Sequence, residues 1–443
     1  MHSLADFIIC IFLMSLILGC KVNDPEKLKH EGSFSVQAEG VSSTEAWLRI
    51  KAEAANPNDI ILLQRDGRIT LSFSIHGKDT LICEDSLTPG KQYTYRAVIS
   101  TSKTNSYSEE INLTTMDTTS HDFHFRRFVV CNRSSGLRDV AIINENDIWA
   151  VGDMYMNLPE GKDDTEPVGA VHWDGKEWKQ VKVPCRDTWM SPLYPSWLSS
   201  VIAFGPDNVY FASYGALMKW DGKKFEEKAQ FMQDESFNGS VLDIWGSDEK
   251  NIYAVGYHGA IYHYTGDKWN KIESGTDLPI QAVWGSRDPI TGEEIVLCVA
   301  SNTFTRDDPK VLQIRNGNVA ELPTDGLTHS LCSVWFKDMN KVYITGDGHF
   351  VKNLKSGTEK WKFFSRSFTR YWSNEVKGNG LNDIVLAGSF GDICHFNGKT
   401  WKAYLGNGVE YFNGDMMGVD IKGNTICAVG TTGGSSVIVL GQR

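Results

Sequence analysis

A repeat in the second half of the chain limits the fold more than any other feature. Val241 to Ile272 contains an inner β run, a second run ending in Gly256, a third before Thr265-Gly266 and a fourth at Trp269. The small residue that ends the second run recurs at Gly152, Ser213, Gly256, Ser301, Gly346, Gly388 and Gly430, at spacings of 61, 43, 45, 45, 42 and 42. Four strands every 40 to 45 residues or so is the period of a β-propeller blade, because such a sheet hides its faces only against neighbours set around an axis. Seven copies imply seven blades. The last copy supplies three strands, Gly418 to Ile421, Ile426 to Val429 and Val437 to Leu440. An open edge there would invite aggregation. Phe123 to Val130 is an extended run just before the first copy, so a ring closed by pairing of N- and C-terminal strands is expected over residues 120–443.

Residues 31–119 do not share the repeat. Short alternating runs (Phe34 to Ala38, Ala46 to Ala52, Ile60 to Arg65, Ile69 to Ile75, Tyr93 to Ser100, Glu110 to Thr115) are separated by turns such as Asp66-Gly67 and Pro89-Gly90. Six or seven strands in so short a segment predict a β-sandwich. Leu87-Thr88-Pro89-Gly90-Lys91-Gln92-Tyr93-Thr94-Tyr95, with Trp47 on the second strand, resembles the tyrosine-corner region of fibronectin type III domains. That resemblance implies a spacer or adhesion module and assigns Trp47 to the sandwich.

Phe7 to Leu18 is an apolar run too short to span a bilayer and of the right length for a signal peptide. Ile17-Leu18-Gly19-Cys20 resembles the lipobox of bacterial lipoproteins, which implies a signal over 1–20, a lipid on Cys20 and a tether over 21–30. The chain is then a lipoprotein of the cell envelope, at the outer membrane, periplasmic or surface-exposed, and it meets the membrane through its lipid only. The net charge of −11, with no Lys/Arg run, argues against nucleic acid as a partner. A monomer is expected. The seven other cysteines downstream (Cys83, Cys131, Cys185, Cys298, Cys332, Cys394, Cys427) lack Cys-x-x-Cys spacing and read as buried thiols.

The repeat motifs Trp-Gly-Ser, Asn-Ile-Tyr-Ala-Val-Gly and Gly-x-x-Trp resemble those of secreted bacterial propellers of the BNR-like and photosystem II stability-factor group. The resemblance implies a fold and says little about activity. Sialidase-type Asp boxes are not met. His172, His263 and His395 occupy equivalent repeat positions, so they fall on different blades and form no metal site; no metal or cofactor is expected. Ten of the 14 Trp hold repeat positions and read as packing between blades. Trp189, Trp197 and Trp372 do not.

Strand alternation places the loops between second and third strands on the same face as the connections between blades. The three large insertions, residues 153–167, 184–198 and 302–310, all belong to those two classes. Candidate ligand-binding residues on that face are Arg186, Asp187, Trp189, Tyr194, Trp197, Tyr214, Tyr257, His258, Arg306, Asp347, His349, Trp372 and Phe390. Aromatics with Arg and a few carboxylates suit a glycan or protein partner. A lipid-anchored binding protein is therefore expected, with no catalytic residue assigned. One alternative is a glycan hydrolase or lyase using Asp347, His349 or Asp187, and another is a periplasmic scaffold or assembly factor.

Overall fold

The computed structural model of the chain describes residues 34–53, 55–56, 59–74, 77–101, 104–131, 135–155, 166–186, 190–233, 240–303, 305–356, 359–364 and 368–443. Cys20, Asp187 and Trp189 lie outside them. The described regular structure is β throughout, apart from two three-residue 3-10 turns, Phe231–Gln233 and Tyr257–Gly259. No described helix is long and apolar enough to cross a membrane.

The chain divides into two compact units. The first takes in Arg49–Thr80 and Tyr93–Asn112. It holds most of a five-stranded sheet in the order Arg68–Ser74, Ile60–Arg65, Gln92–Ser100, Asn105–Tyr107, with Ile111–Thr114 also paired to Gln92–Ser100. Alternation along these strands buries Ile61, Leu63, Tyr95 and Ala97 on one face, as a half-covered sheet requires. A separate three-stranded sheet runs in the order Phe34–Val41, Ala46–Ala52, Asp79–Glu84.

The second unit takes in Ala38–Leu48, Leu81–Gln92 and Leu113–Arg443. Trp47 belongs here. Its ring is 2% exposed and buried with Trp335, Tyr343, Val376 and Leu386, which corrects its assignment to the sandwich core. Among the described residues from His124 onward, the strands fall into one short pair, Pro184–Cys185 with Tyr194–Pro195, and seven four-stranded antiparallel sheets. Their first strands touch in a closed cycle: Gly136–Asn144, Ser200–Gly205, Val241–Asp248, Ile280–Arg287, Leu331–Phe336, Ser373–Gly380, Gly414–Lys422 and back to Gly136–Asn144. The strand expected to complete the last sheet does so. His124–Cys131 pairs antiparallel with Ser435–Gln442, with Val129 opposite Val437 and Arg126 opposite Leu440.

Two local devices explain the repeat. In six of the seven sheets the first strand carries one extra residue, at Arg138, Leu242, Gln281, Cys332, Asn374 and Met417. A β-bulge of this kind re-aims the extra side chain and brings the chain close to its neighbour. The second-strand residue opposite is therefore small. A Cβ on Gly256 would lie 1.9 Å from the Ser240 carbonyl oxygen, and one on Gly388 equally close to that of Trp372. In the fourth sheet the register sets Ala300 opposite Ile280, so Ala300 rather than Ser301 holds this place. The other device joins sheets to each other: carboxylates and hydroxyls on first strands accept backbone N–H groups of the next sheet. Asp139 accepts from Val201 at 2.8 Å, Asp243 from Val283 at 2.9 Å, Glu375 from Val419 at 2.6 Å and Asp420 from Ile142 at 2.8 Å.

Candidate binding face

All six bulge residues, with Asp139, Ser200, Asp243, Ser333 and Glu375, line one cavity of about 90 Å³ at the centre of the ring. Lys377 lies beside it, 3.0 Å from Glu375 and 4.7 Å above the Trp284 ring. Burial, against the pull of Lys377, raises the Asp243 carboxyl to about 6 and also pushes Glu375 up. With most of these carboxylates already bonded to backbone amides, the centre reads as a structural hub. Among the described residues no group of His, Cys, Asp and Glu is placed to hold a metal ion.

Aromatic side chains gather beside the hub. Trp197 is 37% exposed and stands edge-on to Tyr155 at 6.3 Å and Tyr214 at 6.5 Å. Asp153 pairs with Arg138 at 2.5 Å and lies beside Tyr214; burial, with the Asp153 charge adding, pushes the Tyr214 hydroxyl above its ordinary value. Tyr257 is 44% exposed and lies within electrostatic reach of Arg138 and Tyr214. Trp197 and Tyr214 therefore come together with Tyr257 near them; Tyr155 and Asp153, from the insertion 153–167, join them, and so does Arg138, which the sequence did not single out. Arg138 is a bulge residue, and an extra residue in a strand leaves no mark in composition.

A second aromatic group surrounds Phe390. Its ring stacks on Tyr411 at 5.5 Å and meets Tyr371 edge-on at 5.1 Å. Phe390 holds φ 64° and His258 φ 54°, a region bulky residues rarely enter. Both occupy the turn between second and third strands, and such strain is stored where the surroundings enforce it.

The remaining candidates are placed less favourably. Arg186 is tied to Glu227 at 2.9 Å and to the Ser191 carbonyl. Tyr194 is half-buried opposite Cys185 in a short strand pair. Arg306 and Asp347 are exposed without joining either aromatic group. Trp372 is half-buried against Cys332, whose thiol burial raises to about 12. His349 is 2% exposed, bonded to the Ser373 hydroxyl at 2.7 Å and flanked by Phe364 and Phe368. It lies inside the strand Gly348–Lys352, not on the loop, because the turn before it is only one residue long. His349 is thus covered by its neighbours instead of standing on the loop surface where it was expected. The repeat histidines stay apart: His172 bonds Asp147 at 2.8 Å, His263 bonds Asn251 at 2.6 Å and His395 bonds Asp383 at 2.7 Å, each at the start of its own sheet's second strand.

No protein-family model and no curated protein matches the chain. Solved structures do. A structure described as YCF48 bound to D1 peptide aligns at TM-score 0.53 with 15% identity, over 74% of this chain and 99% of that one. The fold is a β-propeller. YCF48 from Cyanidioschyzon merolae (TM-score 0.49, 15% identity, 72% of this chain and 98% of that one) and the WD40 β-propeller domain of Doa1 (0.49, 11%, 74% and 97%) also align. At such identities the likeness concerns the propeller fold alone.

Proposed function

We propose that the protein is a binding platform whose propeller holds a polypeptide partner on the face that carries Trp197, Tyr214 and Tyr257. The observation that carries this is the cluster itself. Large, partly exposed aromatic rings are fixed on turns between rigid strands, around an ion pair, and rings of this kind dominate interface energetics. A polypeptide is favoured over a glycan because the structurally similar YCF48 is described with a bound peptide. We read the seven sheets as seven blades, and the sheets over 31–119 as a fibronectin type III-like spacer. On the same reading a lipid on Cys20 holds the molecule in a bacterial cell envelope.

The test is affinity capture by the chain from residue 22, compared with its Trp197→Ala/Tyr214→Ala variant, with a glycan array run alongside. The expected result is a defined protein partner that the variant loses, at a cost of about 2 kcal/mol or more for the pair. Equal capture by both proteins, or a glycan hit that depends on Trp197, would remove this reading.

A further inference from the structure

Two histidines face each other where the ring closes. His121 Nδ1 lies 2.8 Å from His395 Nδ1, and their rings meet edge-on at 4.9 Å. The outer nitrogens are also occupied. His395 Nε2 is 2.7 Å from Asp383 Oδ1, and His121 Nε2 is 3.1 Å from Thr400 Oγ1. Only some proton placements fit this chain of contacts. With both rings neutral, His395 donates from Nε2 to Asp383 and accepts at Nδ1 from His121, whose Nε2 then accepts the Thr400 hydroxyl. One added proton can still be placed without losing a contact: at His121 Nε2 it makes that ring a donor to both His395 Nδ1 and the Thr400 oxygen. A second puts two N–H groups head to head at hydrogen-bond distance.

The pair sits at a seam. The Tyr404 hydroxyl donates to the His121 carbonyl at 2.7 Å, and Lys402 reaches the same oxygen at 3.3 Å. Thr119 is bonded to Asn397 and Asn382 of the sixth sheet. Arg443, which follows the strand Ser435–Gln442, clamps Asp383 through two bonds of 3.0 and 2.7 Å. It also donates to the Ser120 carbonyl at 2.9 Å and lies 4.7 Å over the Phe123 ring. The stretch entering the closing strand and the residue leaving its partner strand thus meet on one carboxylate and two imidazoles. The charged groups acting on the imidazoles are Asp383, Arg443 and Lys402; Tyr404, on the His121 carbonyl, has Asp122 near it in turn. Two of them are cations and oppose any added proton.

We propose that His121 and His395 form a proton-operated latch on the ring closure: neutral, they hold segment 117–123 to the sixth sheet, and protonation releases it. The energetics have a definite sign. Burial, with His395 and the Lys402 charge adding, lowers His121 to about 4; burial, opposed by Asp383, lowers His395 as well. In the open state both return to about 6.5. The closed state therefore binds fewer protons, and its advantage, complete above 6.5, is lost as pH falls from there through the closed-state values. Each histidine can raise the opening constant at most about tenfold per pH unit, and solvent screening at the half-exposed His121 reduces this to several-fold.

A global melt cannot isolate this effect, because the raised values at Asp243 and Glu375 act in the opposite direction. The test is amide hydrogen exchange on the full chain at pH 7.5 and 5.0, corrected for the intrinsic rate. Protection over 117–131 and 435–443 should fall several-fold or more at pH 5.0 relative to the sheet centred on Val255. The fall should shrink to the smaller part that His395 alone supplies in His121→Gln, and persist in full in His172→Gln. Unchanged protection in the wild type, or an equal fall in His121→Gln, would overturn the proposal. If His121→Gln does not fold, an imidazole NMR titration of the wild type decides: titration of both rings near 6.5 overturns the latch, and depressed values for both support it.

Discussion

Glycines that end the second strands show how much one residue can determine here. Gly256 is extended, and a methyl group there would be driven into the Ser240 backbone, which no rotamer can relieve. Gly256→Ala should cost about 1–3 kcal/mol in denaturant unfolding. Gly205, whose added Cβ would meet only the Asp207 carboxylate at 3.7 Å, should accept Ala within about 0.5 kcal/mol. Equal costs at the two sites would remove the steric account of the repeat. This spacing was legible in the sequence because close backbone approach admits only small residues. The bulge residues that cause the approach were not, since Arg138, Leu242, Gln281, Cys332, Asn374 and Met417 share a place but no chemistry. Trp197 was found by subtracting the repeat, and Tyr214 and Tyr257 by the face on which their loops fall; Asp153 opens the insertion 153–167 on that face, whereas its partner Arg138 looked like an ordinary strand residue.

The closing strand carries most at the scale of elements. His124–Cys131 fills the outer edge of the last sheet, and Phe128 packs between Trp173 and Trp178 at 5.6 and 6.5 Å, so it also holds the first sheet. A chain that begins at 132 would expose an edge strand and part of two apolar layers. It should melt lower, with less cooperativity, and associate in size-exclusion chromatography, relative to one that begins at 113. An unchanged, fully cooperative melt would show that closure does not depend on this pairing. The sequence pointed to this strand because a three-stranded last copy needs a fourth. It gave no sign that Trp47, placed by pattern in the sandwich, is buried beside Trp335, because a strand's alternation says which residues are covered and not by what.

For the molecule as a whole the account rests on one face of the propeller. The turns between third and fourth strands, at Gly175, Gly222 and Gly398, lie at the other ends of the same strands and carry mainly Lys and Asp. Photo-crosslinking in the native cell separates the two faces directly. A photoreactive residue replacing Trp197, Tyr214 or Tyr257 should give protein adducts of one defined mass. The same residue replacing Lys176, Lys223 or Lys399 should give none. Adducts from the lysine positions alone, or adducts resistant to protease and sensitive to glycosidase, would contradict a polypeptide partner on the Trp197 face.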